Sequence, residues 1–594
     1  MNKQKTRIGL YLTLLLLVTS ISLGVDPSYI FSIHDNGGEY LMANKGKKGW
    51  IMFTRAVGCD PNNYSGESFQ SYTDNGYGVI VRLNNGYGST GTIPEQDYYD
   101  NFATRCANYV AASPGCHIWI IGNEPNLPRE WPNNQIITPA MFADCYQRCR
   151  TAIKAKNGHG SDWVMVGAIG NWYVDFDHGA DNCWDWIIYF QKVLEILNHQ
   201  YNSFDGMIVH TYTHGTNPGL ITSEAKMGNP EYDMYYVDFR SYRDYLWAIP
   251  YGDRNKPIFC TETDENDEWL DQNNGWVQAA YQEVHNWNAD PLNQQIRCLS
   301  LFRWELAYED GRTFSFQNKQ GVKDDFSAAM DHNYVWDPGY VYYVGETLTL
   351  QAEDYVNYYD TTTGNTGGQY RSDNVDIEVC QDWEGGYDVG WIAATEWMEY
   401  NFNASGGVYD INIRFAGTGG GRFSILIDGQ DATGSKHLPI TRLWQRWQTL
   451  FLNRVTLSPG SHTLRINITE GGFNLNWFKL VCVDSSSEII VDNSDAGFSV
   501  VSGTWGTSSW SPQKYGADYR YHATNNPATC KIRWTPDLYF AGNYDVYVWY
   551  NAYSSRPNDA KYTIKYNGGQ QTYAVNQEVN GGQWVYVATK SFLA

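Results

Sequence analysis

Ile118-Trp119-Ile120-Ile121-Gly122-Asn123-Glu124-Pro125 is an apolar run that stops at an Asn-Glu-Pro tripeptide. Consecutive large apolar residues read as a strand buried on both faces, as in parallel sheets. In a barrel of such strands, a carboxylic acid at a strand's C-terminal end stands where functional residues gather. Pro257-Ile258-Phe259-Cys260-Thr261-Glu262-Thr263 has the same form and also carries a glutamate at its end. The chain length between the two suits strands 4 and 7 of an eight-fold barrel.

Working outward, residues 27 to 336 alternate apolar strands with helical patterns, the signature of βα units and a parallel sheet. Eight strands are expected: Tyr29–His34, Trp50–Arg55, Gly78–Leu83, Ile118–Gly122, Val164–Ala168, Gly206–His210, Pro257–Thr261 and Leu299–Trp304. Helices are expected at Asp97–Ala111, Pro139–Lys156, Trp184–Asn198, Val237–Ala248 and Gly275–Asn288. This is the size of a (β/α)8 TIM barrel with loop insertions, assigned to residues 25–336.

After Asp337-Pro338-Gly339 the pattern changes to short alternating strands with Gly-rich turns. Residues 346–483 and 489–594 read as two β-sandwich domains, joined by the polar run Asp484-Ser485-Ser486-Ser487-Glu488. A multidomain chain fits the 594 residues, which exceed what one core supports.

Residues 1–24 read as a secretory signal peptide. Lys3, Lys5 and Arg7 precede an apolar stretch from Ile8 to Val18, and Ser22 and Gly24 permit cleavage. The expected location is secreted, cell-surface or periplasmic, with no membrane attachment after cleavage. The net charge of −23 opposes nucleic acid and anionic lipid as partners. A monomer acting on a neutral polymer is compatible. The 24 Trp and 46 Tyr suit either sugar stacking or strand propensity. Eleven Cys include no Cys-x-x-Cys pair, so a zinc ribbon is not expected. Cys106 is able to staple to Cys116, but no disulfide connectivity follows from the sequence.

Two glutamates facing each other across a barrel mouth have the makings of glycosidic bond cleavage. One protonates the leaving oxygen and the other attacks the anomeric carbon. The acid needs a raised pKa, which a neighbouring carboxylate supplies. The alternative is a structural ion pair. Glu265 is the reserve candidate for the attacking carboxylate. His210 and His214 lack the spacing of a metal pair, and no metal is expected in the barrel. Neither a Gly-x-Ser-x-Gly elbow nor a His-Glu-x-x-His motif appears.

Asn123-Glu124-Pro125 and Thr261-Glu262 resemble clan A of the glycoside hydrolases, the (β/α)8 retaining enzymes. The resemblance implies Glu124 as acid/base and Glu262 as nucleophile. It further implies Asn123 on the sugar 2-hydroxyl, His210 and Tyr212 near the nucleophile, and Trp304 as subsite floor. Arg55 at the end of strand 2 is expected to hold the nucleophile ionised, and Asn84 ends strand 3 where some families carry His. No cofactor is implied for catalysis. Trp119, Trp131, Trp172 and Trp269 either rim a long cleft or are buried. β-Glucan, mannan, xylan and agar-type galactan are the candidate substrates. The rival is a non-catalytic polysaccharide-binding protein with an inactive barrel.

Leu350-Gln351-Ala352-Glu353-Asp354, Gly390-Trp391-Ile392, Glu396-Trp397-Met398-Glu399-Tyr400, Trp444-Gln445-Arg446-Trp447-Gln448 and Gly472-Phe473-Asn474-Leu475-Asn476-Trp477 resemble a family 6 carbohydrate-binding module. The resemblance implies a sugar held by Trp444, Asn474 and Trp391 or Tyr387. It also implies a structural calcium near the first strand, with Gln351 and Glu353 as candidate ligands. Ile490-Val491-Asp492-Asn493, Tyr515-Gly516-Ala517-Asp518-Tyr519, Ala541-Gly542-Asn543-Tyr544 and Asn580-Gly581-Gly582-Gln583-Trp584 resemble a golvesin-type C-terminal domain. Such domains usually continue beyond the position of Phe592, so either the last strand is missing or the sequence is a fragment, and an open sheet edge is expected here.

Overall fold

The computed structural model describes residues 26–174, 185–307, 312–485, 489–522, 530–536, 538 and 542–592. The expected signal peptide lies outside these residues. Two compact bodies divide the chain. The first runs to Tyr342 and includes Ala416–Gly421 and His437–Leu450, and the second comprises the rest.

The first body is a closed barrel of eight parallel strands in sequential order. They are β1 (Phe31–His34), β2 (Trp50–Ala56), β3 (Gly78–Asn84), β4 (Ile118–Ile121), β5 (Trp163–Val166), β6 (Met207–His210), β7 (Ile258–Thr263) and β8 (Ile296–Leu301). Among the described residues eight α-helices accompany them, including α3 (Tyr99–Ala111), α4 (Pro139–Lys154), α5 (Trp186–Tyr201), α6 (Ser241–Ala248) and α7 (Trp276–Ala289). Local chemistry sets where these helices start. Thr138 caps α4 by accepting from the Met141 N–H at 3.3 Å, and Pro139 occupies the first turn. Asp185 caps α5 by accepting from the N–H groups of Ile187 and Ile188. Asn202 ends α5 at φ 60°.

The period of two along each strand sorts the barrel core. Trp50, Met52, Ile80, Ile118, Ile120, Met165, Ile208, Phe259 and Cys298 form one buried cluster, the barrel interior. Their sequence neighbours Ile51, Phe53, Val79, Val81, Trp119 and Ile121 belong to a separate cluster shared with helix residues such as Phe102, Phe142 and Phe190.

The segment Thr347–Asp484 forms two antiparallel sheets. One runs in the order Asn357–Tyr359, Trp397–Ala404, Gly460–Glu470, Arg422–Ile427 and Gln430–Asp431. The other runs Ile377–Val379, Tyr387–Val389, Phe473–Asp484, Gly407–Gly417 and Gln448–Leu457, with Thr347–Gln351 also paired to Phe473–Asp484. From Phe498 onward the described residues form four separate two-stranded ladders, not two continuous sheets. Among the described residues Cys59, Cys106, Cys116, Cys145, Cys149, Cys260, Cys298, Cys380 and Cys482 carry free thiols. The Cys116 thiol donates to the backbone oxygens of Val79 and Ile118, while Cys106 is hydrogen-bonded to Cys149. Among the described residues, no helix is long and apolar enough to cross a membrane.

Candidate active site

The apolar barrel interior gives way to a polar layer at the C-terminal ends of the strands. His34 ends β1, Thr54 lies near the end of β2 and Arg82 lies on β3, two residues beyond interior Ile80. The Arg82 Nε donates to Thr54 Oγ1 at 3.1 Å, and Thr54 Oγ1 lies 3.2 Å from His34 Nε2. Arg82 is buried, and it spends its charge on one carboxylate. Its Nη1 donates to Glu262 Oε1 at 2.6 Å and to Asn123 Oδ1 at 2.6 Å.

Strict alternation along β7 points Phe259 and Thr261 inward and Glu262 out. The register against β6 breaks, however: Val209 faces Cys260 and His210 faces Glu262. This bulge lets adjacent residues share one face. Thr261 Oγ1 meets His210 Nε2 at 3.1 Å, and Glu262 Oε2 accepts from the Tyr212 hydroxyl at 3.1 Å. Burial pushes the Glu262 pKa up, but His210, Arg82 and His34 outweigh it and hold the carboxyl at about 2. Glu262 is thus ionised at any ordinary pH.

Glu124 follows β4 through a strained turn. Gly122 takes φ 70°, open to glycine, whereas Glu124 itself sits at φ 40°. The turn is pinned by the Glu124 N–H on Ala168 O at 2.8 Å and by Asn126, which exchanges hydrogen bonds with Gly170. Glu124 Oε1 lies 3.0 Å from His210 Nδ1, and Oε2 accepts from Arg129 Nη2 at 2.8 Å. His210 Nδ1 is also 3.9 Å from Glu262 Oε2. One imidazole nitrogen thus reaches both carboxylates. This limits their nearest-oxygen gap to about 7 Å, the sum of the two contacts, which accommodates the 5–5.5 Å of a retaining pair.

The Glu124 pKa runs against expectation. Burial raises it and Glu262 repels it, yet the hydrogen bond and charge of His210, with Arg129, hold it below the ordinary value. The elevated carboxyl of this cluster is its neighbour Glu130, which burial and the Glu124 charge push up to about 8. Asp264, buried just past Glu262, is also pushed well up by burial and by the Glu262 and Glu265 charges.

The structure overturns the role expected of Arg55. Arg55 shares the parity of Ile51 and Phe53, so it points away from the interior and clamps Glu67 at 2.6 and 2.8 Å. The register puts Thr54 opposite Arg82 and Arg55 opposite Leu83, so Arg82 is the cation that reaches Glu262. The signal for Arg82 was the alternation Ile80-x-Arg82 itself. Asn84 is buried at the end of β3, and its Oδ1 has no hydrogen-bond partner among the described residues. Trp304 is buried against Gly37 and Gly38, where any side chain would collide with the indole. Of the four cleft tryptophans, Trp119, Trp131 and Trp269 are buried, each with its indole N–H bonded to an interior acceptor. Trp172 is half-buried, 4.4 Å from the His214 ring and 6.3 Å from Tyr212. Glu265 accepts from the Leu270 N–H at 3.0 Å and braces its loop.

Trp391 and Trp444 are exposed by 50% and 47%, far more than a core residue. Asn474 is buried beside Gly390 and donates to Glu378 Oε1 at 2.9 Å. Tyr387 packs on Tyr370 at 5.1 Å. For a calcium, Glu353 offers a buried Oε2 with no hydrogen-bond partner among the described residues, and burial pushes its pKa up to about 7. Gln351 is paired through the strand to Trp477. Among the described residues there is no group of three or more His, Cys, Asp or Glu able to hold a metal ion. Of the two expected ligands, Glu353 keeps an unpartnered carboxylate oxygen, the donor type that calcium takes.

Residues 489–594 match the golvesin C-terminal domain, and residues 371–480 match the family 35 carbohydrate-binding module. A xanthan lyase from Bacillus sp. (strain GL1) is 34% identical over 106 residues, 18% of this chain and 11% of the lyase. An alpha-agarase from Alteromonas agarilytica is 30% identical over 167 residues, 25% of this chain and 11% of the agarase. The chain therefore matches only 11% of the length of either relative. The C-terminal CBM6 of LamC from Zobellia galactanivorans is 34% identical, covering 23% of this chain and 98% of that module, with a TM-score of 0.19. Behind its eight-stranded parallel barrel the chain carries a carbohydrate-binding module of the CBM35/CBM6 type and a golvesin C-terminal domain.

Proposed function

We propose that the protein is a secreted, monomeric, clan A retaining glycoside hydrolase that cleaves β-linked polysaccharide, tethered to it by its carbohydrate-binding module. The observation that carries this reading is the meeting of Glu124 and Glu262 at one nitrogen of His210, with Glu262 held ionised by Arg82. Glu262 attacks the anomeric carbon while Glu124 gives its proton to the departing oxygen. Water then attacks the glycosyl-enzyme ester, passing a proton to Glu124 and releasing Glu262. Asn123, fixed by Arg82, receives the 2-hydroxyl, and Trp304 floors the same subsite. Asn84 offers a free acceptor to a neighbouring sugar. Catalysis needs no cofactor, and a calcium at Glu353 stabilises the module.

In the free protein Glu124 Oε1 rests 3.0 Å from His210 Nδ1, and Oε2 accepts from Arg129. Arg129 is the adjustable partner: its side chain is 59% exposed, so it can leave Glu124 when a sugar enters. With Arg129 gone and Glu262 ionised, the Glu124 carboxyl moves upward toward the acid's range. Tethering raises local substrate concentration without changing the chemistry.

Substrates to test are β-glucan, mannan, xylan and agarose, the last also because of the likeness to an alpha-agarase. Hydrolysis of one of them, abolished in Glu262→Ala, supports the assignment. Activity that survives Glu262→Ala removes Glu262 as nucleophile. The second reading is an inactive barrel in a polysaccharide-binding protein, and it draws on the lowered pKa of Glu124. Retention of polymers without hydrolysis of any favours it.

A further inference from the structure

The golvesin domain contains a cavity of about 460 Å³ that plays no part in the proposed hydrolysis. Two segments line it. Trp510, Tyr519 and Tyr521 come from the hairpin Gly506–Ser508/Tyr519–Tyr521 and its connection, and Asn551, Tyr553 and Arg556 follow the strand Gly542–Trp549. Gln513 braces the two segments. Its backbone oxygen accepts from Trp549 Nε1 and its Oε1 accepts from the Ala552 N–H, both at 2.8 Å. The concavity is therefore preformed.

Its chemistry is unusual for an idle surface. Trp510 is 77% exposed, and the rings of Tyr553 and Tyr521 are exposed beside the same cavity. Single exposed rings are ordinary, but several around one concavity mark a binding site. Asn551 Oδ1 is buried with no hydrogen-bond partner among the described residues, an acceptor waiting for a donor. Arg556 is half-buried, and among the described residues its guanidinium makes no ion pair and no side-chain hydrogen bond. No carboxylate lines the cavity. In a chain of net charge −23, an unneutralised arginine in an acid-free pocket selects for an anion, and its fork matches a carboxylate. Flat rings, a hydroxyl-seeking acceptor and a carboxylate-seeking fork together describe one ligand.

We propose that this cavity binds a carboxylate-bearing sugar unit of an acidic glycan. The pyranose face lies on Trp510 and Tyr553, a hydroxyl donates to Asn551 Oδ1 and the carboxylate pairs with Arg556. The site is independent of the barrel reading, since it holds whether or not the barrel hydrolyses anything.

The test is affinity electrophoresis of the full chain carrying Trp391→Ala and Trp444→Ala, which silences the other module. Gels contain polygalacturonate, alginate or glucuronoxylan, with methyl-esterified polygalacturonate as the uncharged match. Retardation is expected by at least one acidic polymer and not by the ester. Trp510→Ala and Arg556→Gln should each weaken it at least tenfold, with Arg556→Lys intermediate. Unchanged thermal melting of the Arg556 variants separates lost binding from lost folding. The proposal fails if no acidic polymer retards the protein, if the ester retards it equally, or if Trp510→Ala and folded Arg556→Gln leave retardation unchanged.

Discussion

Arg82 donates to Glu262 Oε1 and Asn123 Oδ1 through the same nitrogen, 2.6 Å from each. One buried guanidinium thus joins His210 in holding a candidate catalytic residue ionised, and it fixes the position of a candidate sugar-binding one. Removing it leaves the buried Glu262 charge with less compensation. Arg82→Met should lower kcat/KM by about 10³-fold, through loss of an ionised, oriented nucleophile. Its acidic pH limb should move upward. Arg55→Ala, which breaks only the clamp on Glu67, should stay within about threefold of the parent, as is usual away from the reacting groups. Steady-state kinetics across pH distinguish the two.

The arginine is legible in the chain by counting alternate residues, whereas closeness to the strand end points to Arg55 instead. Trp50, Met52 and Thr54 share one parity and Arg55 the other, whereas Ile80 and Arg82 share theirs. Closeness to a strand end is a weaker cue than parity. Glu262 shows the converse. Parity alone sends it outward, and only the bulge in β7 returns it to the mouth. A bulge needs no special residue, so nothing in Phe259-Cys260-Thr261-Glu262 announces it. The eight strands were readable because each is a short apolar run between polar ends. The burial of Trp119, Trp131 and Trp269 was not, because an indole is equally at home in a core and on a sugar. It depended on acceptors such as Asp162 Oδ2, supplied by distant segments.

With His210, Arg129 holds Glu124 in its charged form. Its removal should let the Glu124 pKa rise, because burial and Glu262 are then opposed by His210 alone. Arg129→Ala should therefore shift the alkaline limb of kcat/KM to higher pH. An unmoved limb would show that Arg129 has no hold on the acid.

Leaving-group chemistry separates the two glutamates. Glu124→Ala should slow cleavage of polysaccharide by about 10²–10⁴-fold but act much less on an aryl glycoside whose leaving group needs no proton. Glu262→Ala should abolish both. The first-formed sugar of the parent enzyme, followed by NMR, should keep the β configuration.

The depressed pKa of Glu262 also bears on acid stability. The folded state binds this proton near pH 2 and the unfolded chain near pH 4.3. The unfolded form therefore takes up more protons in that window. The contribution of Glu262 is complete above about pH 4.3 and is lost as pH falls toward 2. Tm measured from pH 5 to 3 should fall less steeply in Glu262→Gln than in the parent.

Glu353 has the opposite sign. Burial raises its pKa to about 7, so ionising it costs stability as pH rises from about 4.3 toward 7. A calcium ion would reverse that cost. Millimolar calcium at pH 8 should raise the melting transition of the carbohydrate-binding module, and Glu353→Gln should remove the response.

The bulge in β7 has a consequence for how this barrel can diversify. It lies within the strand, upstream of Asp264, so the direction of Glu262 is set before the chain enters the following loop. The exposed residues 266–268 and 270–273 can then be exchanged without re-aiming the carboxylate. If the barrel cleaves a polymer as proposed, loop changes that tune its preference leave the aim of Glu262 to the irregular register of β7 against β6 and β8.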